Sequence, residues 1–248
     1  MTKKVAFITG GVGGIGSAIA AELSHKGYKV VAGYHPAEAA HAAATLEKWK
    51  SEGRDAAIIE GDVSSFDSCK AMAEKIRKEH GSVSVLVNCA GITRDKTLKK
   101  LDPKDWMDVI NVNLNGMYNV TKQFVEPMTE QGFGRIINIS SVNGKKGQLG
   151  QTNYSASKAG VHGFTMALAQ EVARKGVTVN SISPGYIDTA MTKAIPQDAV
   201  TGILAQIPTG RMGKPEDIAY VAGFLADERA GYITGANISV NGGLFISF

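Results

Sequence analysis

The stretch "KVAFITGGVGGIGSAIAAELSHKG", residues 4–27, decides the fold. Residues 4–9 form a short apolar run that reads as a buried strand. Residues 14–27 carry apolar side chains at helical spacing and close at Gly27. Between them, residues 9–16 read "TGGVGGIG". This segment contains G-x-G-x-x-G at Gly11, Gly13 and Gly16, and it also fits T-G-x-x-x-G-x-G with Gly10, Gly14 and Gly16. A glycine turn alone closes many tight corners. Here it follows a strand and opens a helix, so bare backbone meets the positive end of a helix dipole. That combination holds a pyrophosphate and predicts a dinucleotide site, with Gly10, Gly13, Gly14, Ile15 and Gly16 as contacts. No Gly-Lys-Ser/Thr follows, which excludes the phosphate loop of nucleoside triphosphatases.

Outward from this unit the alternation continues. Further strands are expected at residues 28–34, 56–62, 84–91, 134–141, 177–185 and 236–243. Helices are expected at 36–52, from there after the third strand to about 79, along a long stretch after Pro103, at 153–174 and from Pro215. Seven strands alternating with helices predict an α/β fold: a doubly wound, Rossmann-type parallel sheet with helices on both faces. No linker, repeat or composition break interrupts the chain, so one domain over 1–248 is expected. The least regular part, 186–213, contains Pro196 and Pro208 and is expected to act as a lid.

The 248 residues are 44% hydrophobic and 20% charged, with a formal net charge of +4. The lysine doublets are short and scattered, which argues against a nucleic-acid partner. Cys69 and Cys89 form neither a disulfide framework nor a metal spacing and point to a reducing, cytoplasmic setting without a metal. The opening apolar run is too short for a signal peptide, and no stretch reaches the roughly 18 residues of a membrane span.

The second strand bears on the cofactor. A carboxylate at its end would hydrogen-bond a free ribose 2′-hydroxyl. The chain reads Ala32-Gly33-Tyr34-His35-Pro36, with no acid until Glu38. This favours NADP(H), with NAD(H) as the alternative and Tyr34 and His35 as contacts.

"NYSASKAG", residues 153–160, places Tyr154 and Lys158 on one helix face at i and i+4. A free phenol has a pKa of about 10. An adjacent ammonium is expected to lower it towards the working range of a proton donor. Ser141 ends a strand 13 residues earlier and can hydrogen-bond a substrate oxygen. Together these residues suit reduction of a ketone, which needs a hydride on carbon and a proton on oxygen.

Four stretches, "TGGVGGIG", "NCAG" at 88–91, "SSVNG" leading to "YSASK" at 140–158, and "PGYIDT" at 184–189, together resemble the short-chain dehydrogenase/reductase family. The resemblance covers essentially the whole chain. It implies a seven-stranded domain, usually assembled as a homotetramer. It further implies that Tyr154 and Lys158 are the catalytic pair, Ser141 the carbonyl-positioning serine and Asn113 the asparagine of a proton relay. Lys158 would also hold the nicotinamide ribose. Asp62 and Val63 would meet adenine, and Asn88, Ala90 and Gly91 would lie near the ribose. Pro184, Gly185, Ile187 and Thr189 would flank the nicotinamide, with Thr189 on its amide. Cys89 departs from the family, which commonly has a second Asn there.

"AGITRD" at 90–95, "SSVNGKKGQLGQTNYSASKAG" at 140–160 and "GFTMALAQEVA" at 163–173 resemble the 3-oxoacyl-thioester reductases, and among them the acetoacetyl-CoA reductases. The resemblance thus implies NADPH-dependent reduction of acetoacetyl-CoA to (R)-3-hydroxybutyryl-CoA in polyhydroxyalkanoate synthesis. The alternative is reduction of 3-oxoacyl chains on acyl-carrier protein. Asp95, Gln148, Gln151 and Tyr186 are expected to surround the acyl-CoA substrate. Arg94, Lys99 and Lys100 are candidates to face its anionic carrier.

Overall fold

The computed structural model describes residues 3–193 and 197–246. Strand β1, Val5–Thr9, is buried along its whole length. The chain turns through the glycines into helix α1, Gly14–His25, and returns as β2, Lys29–Tyr34. Then come α2 (Ala39–Ser51), β3 (Ala56–Glu60), α3 (Phe66–His80) and β4 (Val83–Asn88). The chain continues through α4 (Pro103–Ile110), α5 (Gly116–Glu130), β5 (Gly134–Ile139), the short α6 (Asn143–Lys146) and α7 (Thr152–Val172). It finishes with β6 (Val177–Pro184), α8 (Ala190–Lys193), α9 (Gln197–Leu204), α10 (Pro215–Ala226) and β7 (Asn237–Val240).

The strands form one seven-stranded sheet in the order β3-β2-β1-β4-β5-β6-β7, with every neighbouring pair parallel. Winding runs one way from β1 to β3 and the other way from β4 onward. A crevice therefore opens between the carboxyl ends of β1 and β4. Alternate side chains serve opposite layers. Ala6, Ile8, Val30 and Val85 join a cluster with Ile19 and Leu23 of α1, Trp49 of α2, and Ile218 and Leu225 of α10. Val5, Phe7, Val31 and Leu86 join a second cluster with Ile76 of α3, Phe124 of α5 and Ala169 of α7. Both sheet faces are covered, so the strands read as unbroken apolar runs rather than as apolar-polar alternation. Each buried large aliphatic contributes about 1.5–3 kcal/mol relative to exposure.

Two local details depart from the sequence reading. The helix after Pro103 is not continuous: a π turn at Asn111–Asn115 interrupts it, and the Gly116 N–H reaches back to the Asn111 carbonyl. Such a turn inserts one residue into the helical ladder and re-aims the side chains around it. Residues 186–213 are less irregular than expected, since α8 and α9 lie within them. The neck of this excursion is closed by Gly213 N–H to the Tyr186 carbonyl at 2.9 Å and Asp188 N–H to the Gly213 carbonyl at 2.8 Å. Residues 194–196 of the expected lid, including Pro196, lie outside the described residues.

The crossing of the glycine turn with α1 is sterically tight. A Cβ on Gly16 would sit 2.1 Å from the Gly10 carbonyl oxygen, whereas one on Gly13 would meet that oxygen at 3.4 Å and nothing else. Gly16→Ala should therefore lose roughly 1–3 kcal/mol or more of stability, as overpacking does. Gly13→Ala should unfold at the wild-type urea concentration. Equal midpoints for the two variants would contradict this packing.

Candidate functional site

A cleft of about 780 Å³ runs along the carboxyl edge of the sheet. Its floor is the glycine turn. No side chain caps the N-terminus of α1, so its first-turn N–H groups have no partner within the helix. Gly13 lines the cleft, and no side chain fills the space above it. A bare floor beside uncapped amides fits a pyrophosphate. Thr9 ties this floor to the next turn: its Oγ1 accepts from Cys89 N–H at 3.0 Å and Ala90 N–H at 3.1 Å. A Cβ on Gly14 would lie 2.8 Å from Cγ2 of Thr189, so Thr189 packs directly over the helix start. Gly10, Ile15, Gly16, Ala90, Gly91, Pro184, Gly185 and Ile187 also line the cleft.

At the other end the walls are the termini of β2 and β3, with Tyr34, His35, Glu38, Asp62, Val63 and Ser64. Asp62 Oδ1 accepts from the Ser64 N–H at 2.8 Å and from its hydroxyl at 2.7 Å. Asn119 of α5 donates to the Val63 carbonyl at 3.0 Å and holds this loop in place. The sequence reading favoured NADP(H) because no acid was expected here. A 3₁₀ turn at Pro36–Glu38 instead folds Glu38 back to the strand end. There its Oε2 accepts from the His35 N–H at 3.1 Å.

Ser141, Tyr154 and Lys158 meet on the cleft wall below Ile139 and Cys89. Ser141 is hydrogen-bonded to the Tyr154 hydroxyl, and its Oγ also accepts from Asn143 N–H at 3.1 Å. Lys158 is buried, with Nζ donating to the Ile139 carbonyl at 2.8 Å and lying 5.6 Å from the Tyr154 ring centroid. Burial pushes the Lys158 ammonium down to about 8. Burial also holds the Tyr154 phenol above its ordinary range, against the Ser141 hydrogen bond that lowers it, and with the Asp95 and Cys89 charges adding to the rise. The expectation that Lys158 lowers the phenol is thus reversed by desolvation among the protein's own groups. Burial pushes the neighbouring Cys89 thiol up to about 11, which favours the protonated thiol at neutral pH.

The two expected asparagines are scaffold as much as site. Asn88 donates to Thr121 Oγ1 at 2.9 Å and Asn138 Oδ1 at 2.8 Å, joining β4 to β5 and α5. Asn113, in the π turn, accepts from Ile92 N–H at 2.8 Å. It donates to the Ile92 carbonyl at 3.0 Å and to Ser157 Oγ at 3.2 Å. A Cβ on Gly91 would lie 3.3 Å from Asn113 Oδ1 and 3.5 Å from Lys158 Nζ, so that glycine lets the two approach.

The four expected substrate residues divide. Gln151 donates to Asp95 Oδ2 at 2.7 Å and accepts from Asn143 at 2.9 Å. The Asp95 charge reaches the Tyr154 and Tyr186 hydroxyls and raises both. Asp95, Gln151 and Tyr186 therefore gather beside Tyr154, at the rim rather than in the wall of the cleft. Gln148 instead accepts from Lys146 Nζ at 2.8 Å through its amide oxygen.

Sequence reasoning missed several supporting side chains. Ser140 Oγ donates to the Lys158 carbonyl at 2.8 Å and bonds His162 Nε2 at 2.7 Å. Asn153 donates to the Arg94 and Asp105 carbonyls at 3.2 and 3.3 Å, anchoring the start of α7. The usable signal was position, since Ser140 and Asn153 directly precede Ser141 and Tyr154. Among the described residues, no group of three or more His, Cys, Asp or Glu side chains is placed to hold a metal ion. Among the described residues, no helix is long and apolar enough to cross a membrane.

Comparison with known proteins agrees with this geometry. The family model described as short chain dehydrogenase matches residues 4–200. An acetoacetyl-CoA reductase of Allochromatium vinosum is 56% identical, over 98% of this chain and 99% of its own length. That of Cupriavidus necator is 53% identical with the same coverage. A 3-oxoacyl-[acyl-carrier-protein] reductase of Pseudomonas aeruginosa is 47% identical over 98% of each chain. The crystal structure of gox2181 superposes with a TM-score of 0.92 at 31% identity, covering 98% of this chain and 96% of that one. A glycine turn at the switch point, a Ser–Tyr–Lys cluster beside it and full-length relatives lead to one conclusion: the chain belongs to the short-chain dehydrogenase family.

Proposed function

We propose that this chain reduces the 3-oxo group of acetoacetyl-CoA to the (R)-3-hydroxy thioester, the monomer step of polyhydroxyalkanoate synthesis, with a nicotinamide dinucleotide. The observation that carries the reading is the Ser141–Tyr154–Lys158 cluster at the end of a dinucleotide cleft. The acetoacetyl-CoA reductases among its relatives supply the substrate. The glycine turn would hold the pyrophosphate, Lys158 the nicotinamide ribose and Thr189 the carboxamide. When bound, the nicotinamide supplies the hydride.

The protein's own part is proton transfer and positioning. Ser141 orients the ketone oxygen, and Tyr154 gives it a proton from the phenol oxygen. A raised phenol is fully protonated at neutral pH and ready to donate. The phenolate left behind needs the positive charge of Lys158 in a site where burial magnifies charge interactions. Asn113 holds the π turn against α7 and would carry the water that returns the proton. Asp95, Gln151 and Tyr186 border the acyl chain, and residues 186–213, tied at their neck, would cover it as a lid. Arg94, Lys99 and Lys100 are exposed on the approach and would meet the phosphates of CoA. Tyr118 and Met166 on one helical layer, and Tyr220 and Phe224 on the other, are exposed. Two separate apolar faces suit the two kinds of contact in a homotetramer.

Tyr154→Phe removes only the proton donor. It should lower kcat at least ~100-fold while leaving dinucleotide binding near wild type, which steady-state kinetics and a nucleotide titration check. The pH dependence follows from Lys158. A pKa lowered to about 8 keeps the ammonium below that pH and loses it above. Ketone reduction should therefore be level towards neutrality and fall above about pH 8; a profile flat to pH 9.5 would exclude Lys158 as the stabilising charge. A carrier-protein substrate is the second reading, favoured by the same exposed cations. Kinetics on C4 to C8 3-oxoacyl-CoA and on acetoacetyl-carrier protein should show the highest kcat/KM for acetoacetyl-CoA; a higher value for the carrier protein would reverse the assignment.

A further inference from the structure

We propose that the adenosine end of the cleft selects NADH over NADPH, with Glu38 as the discriminating residue; this rests on the dinucleotide reading above. Glu38 follows the glycine turn by about 20 residues, the interval at which an acid meets the ribose 2′-hydroxyl. It does not stand directly at the end of β2, yet the 3₁₀ turn returns it there. The His35 N–H donates to Glu38 Oε2 at 3.1 Å and the Ala37 N–H donates to His35 Nδ1 at 3.2 Å. These reciprocal bonds pin the carboxylate in the cleft wall. One oxygen of Glu38 stays available to accept from a ribose hydroxyl.

The surrounding charges point the same way. Asp62 places a second carboxylate in the same end of the cleft. The only Lys or Arg side chains among the described lining residues are Arg94 and Lys158. Both belong to the far end: Lys158 is bonded to Ile139, and Arg94 Nε lies 3.9 Å from Asp105 Oδ1. His35 uses Nδ1 as an acceptor, which leaves Nε2 as the single donor of its ring. A 2′-phosphate would thus bring about two negative charges against two carboxylates with no cation to replace its lost hydration. A 2′-hydroxyl would instead gain a charge-assisted hydrogen bond. Discrimination here works by exclusion of the wrong ligand as much as by attraction of the right one.

The test is a fluorescence titration of the intact protein with NADH and NADPH, without substrate, for the wild type and Glu38→Gln. The glutamine keeps an oxygen for the His35 N–H and removes only the charge. Wild-type protein should bind NADH at least tenfold more tightly than NADPH. In Glu38→Gln that ratio should shrink at least fivefold, mainly through tighter NADPH binding. Equal or tighter NADPH binding by the wild type, no measurable binding of NADH, or an unchanged ratio in the variant would each overturn the proposal. The wild-type ratio decides even if the variant folds poorly. Selective NADH binding without turnover of acetoacetyl-CoA would sink the substrate assignment and leave the selection standing.

Discussion

The whole site hangs on the contact between two turns. The segment after β1 and the segment after β4 meet where the sheet reverses its winding, and Thr9 bridges them through Cys89 and Ala90 N–H. Gly10 permits the approach, because a Cβ there would lie 3.0 Å from Ala90 Cα, and its φ of 60° suits glycine alone. On one side of this seam lie the uncapped amides of α1. On the other lie Gly91, Asn113 and Lys158. A small separation of the turns would divide the glycine floor from Tyr154.

Behind the seam stands a layer of buried polar side chains that hold secondary structure elements in register. Asn88 and Asn138 join neighbouring strands and reach Thr121 and Thr165 on the helices above. Ser140 and Asn113 tie α7 to β5 and to the loop after β4. The amide nitrogens of Asn88 and Asn138 are all paired, whereas the buried Asn88 Oδ1 has no partner; breaking a further member would leave another buried group unpaired, at about 1–3 kcal/mol. The precision of the Tyr154–Lys158 pair derives from this layer.

The fold was legible almost completely. Buried strands between helices announce themselves as apolar runs, and the helix signals at Gly27, Pro103 and Pro215 mark boundaries. The Tyr154–Lys158 pair was legible too, because i and i+4 on a helix are neighbours whatever else the chain does. The π turn was not, since Asn113 within it bonds Ile92 and Ser157, 21 and 44 residues away in the sequence. The partner of Gln148 was not legible either: Lys146 donates to its amide oxygen, and nothing in its spacing from Tyr154 reveals that.

By itself, then, the sequence determined the parallel sheet, the glycine floor and the identity of the Ser–Tyr–Lys cluster, because each rests on local pattern or short-range chain geometry. Tertiary structure alone decided the sign of the Tyr154 shift, since desolvation depends on how many segments close over the phenol. It alone decided that Asn88 serves as a strut. It also returned Glu38 to the end of β2, across a turn whose reciprocal hydrogen bonds no residue count displays. Electrostatics and burial are sums over distant neighbours, and only the folded chain brings those neighbours together.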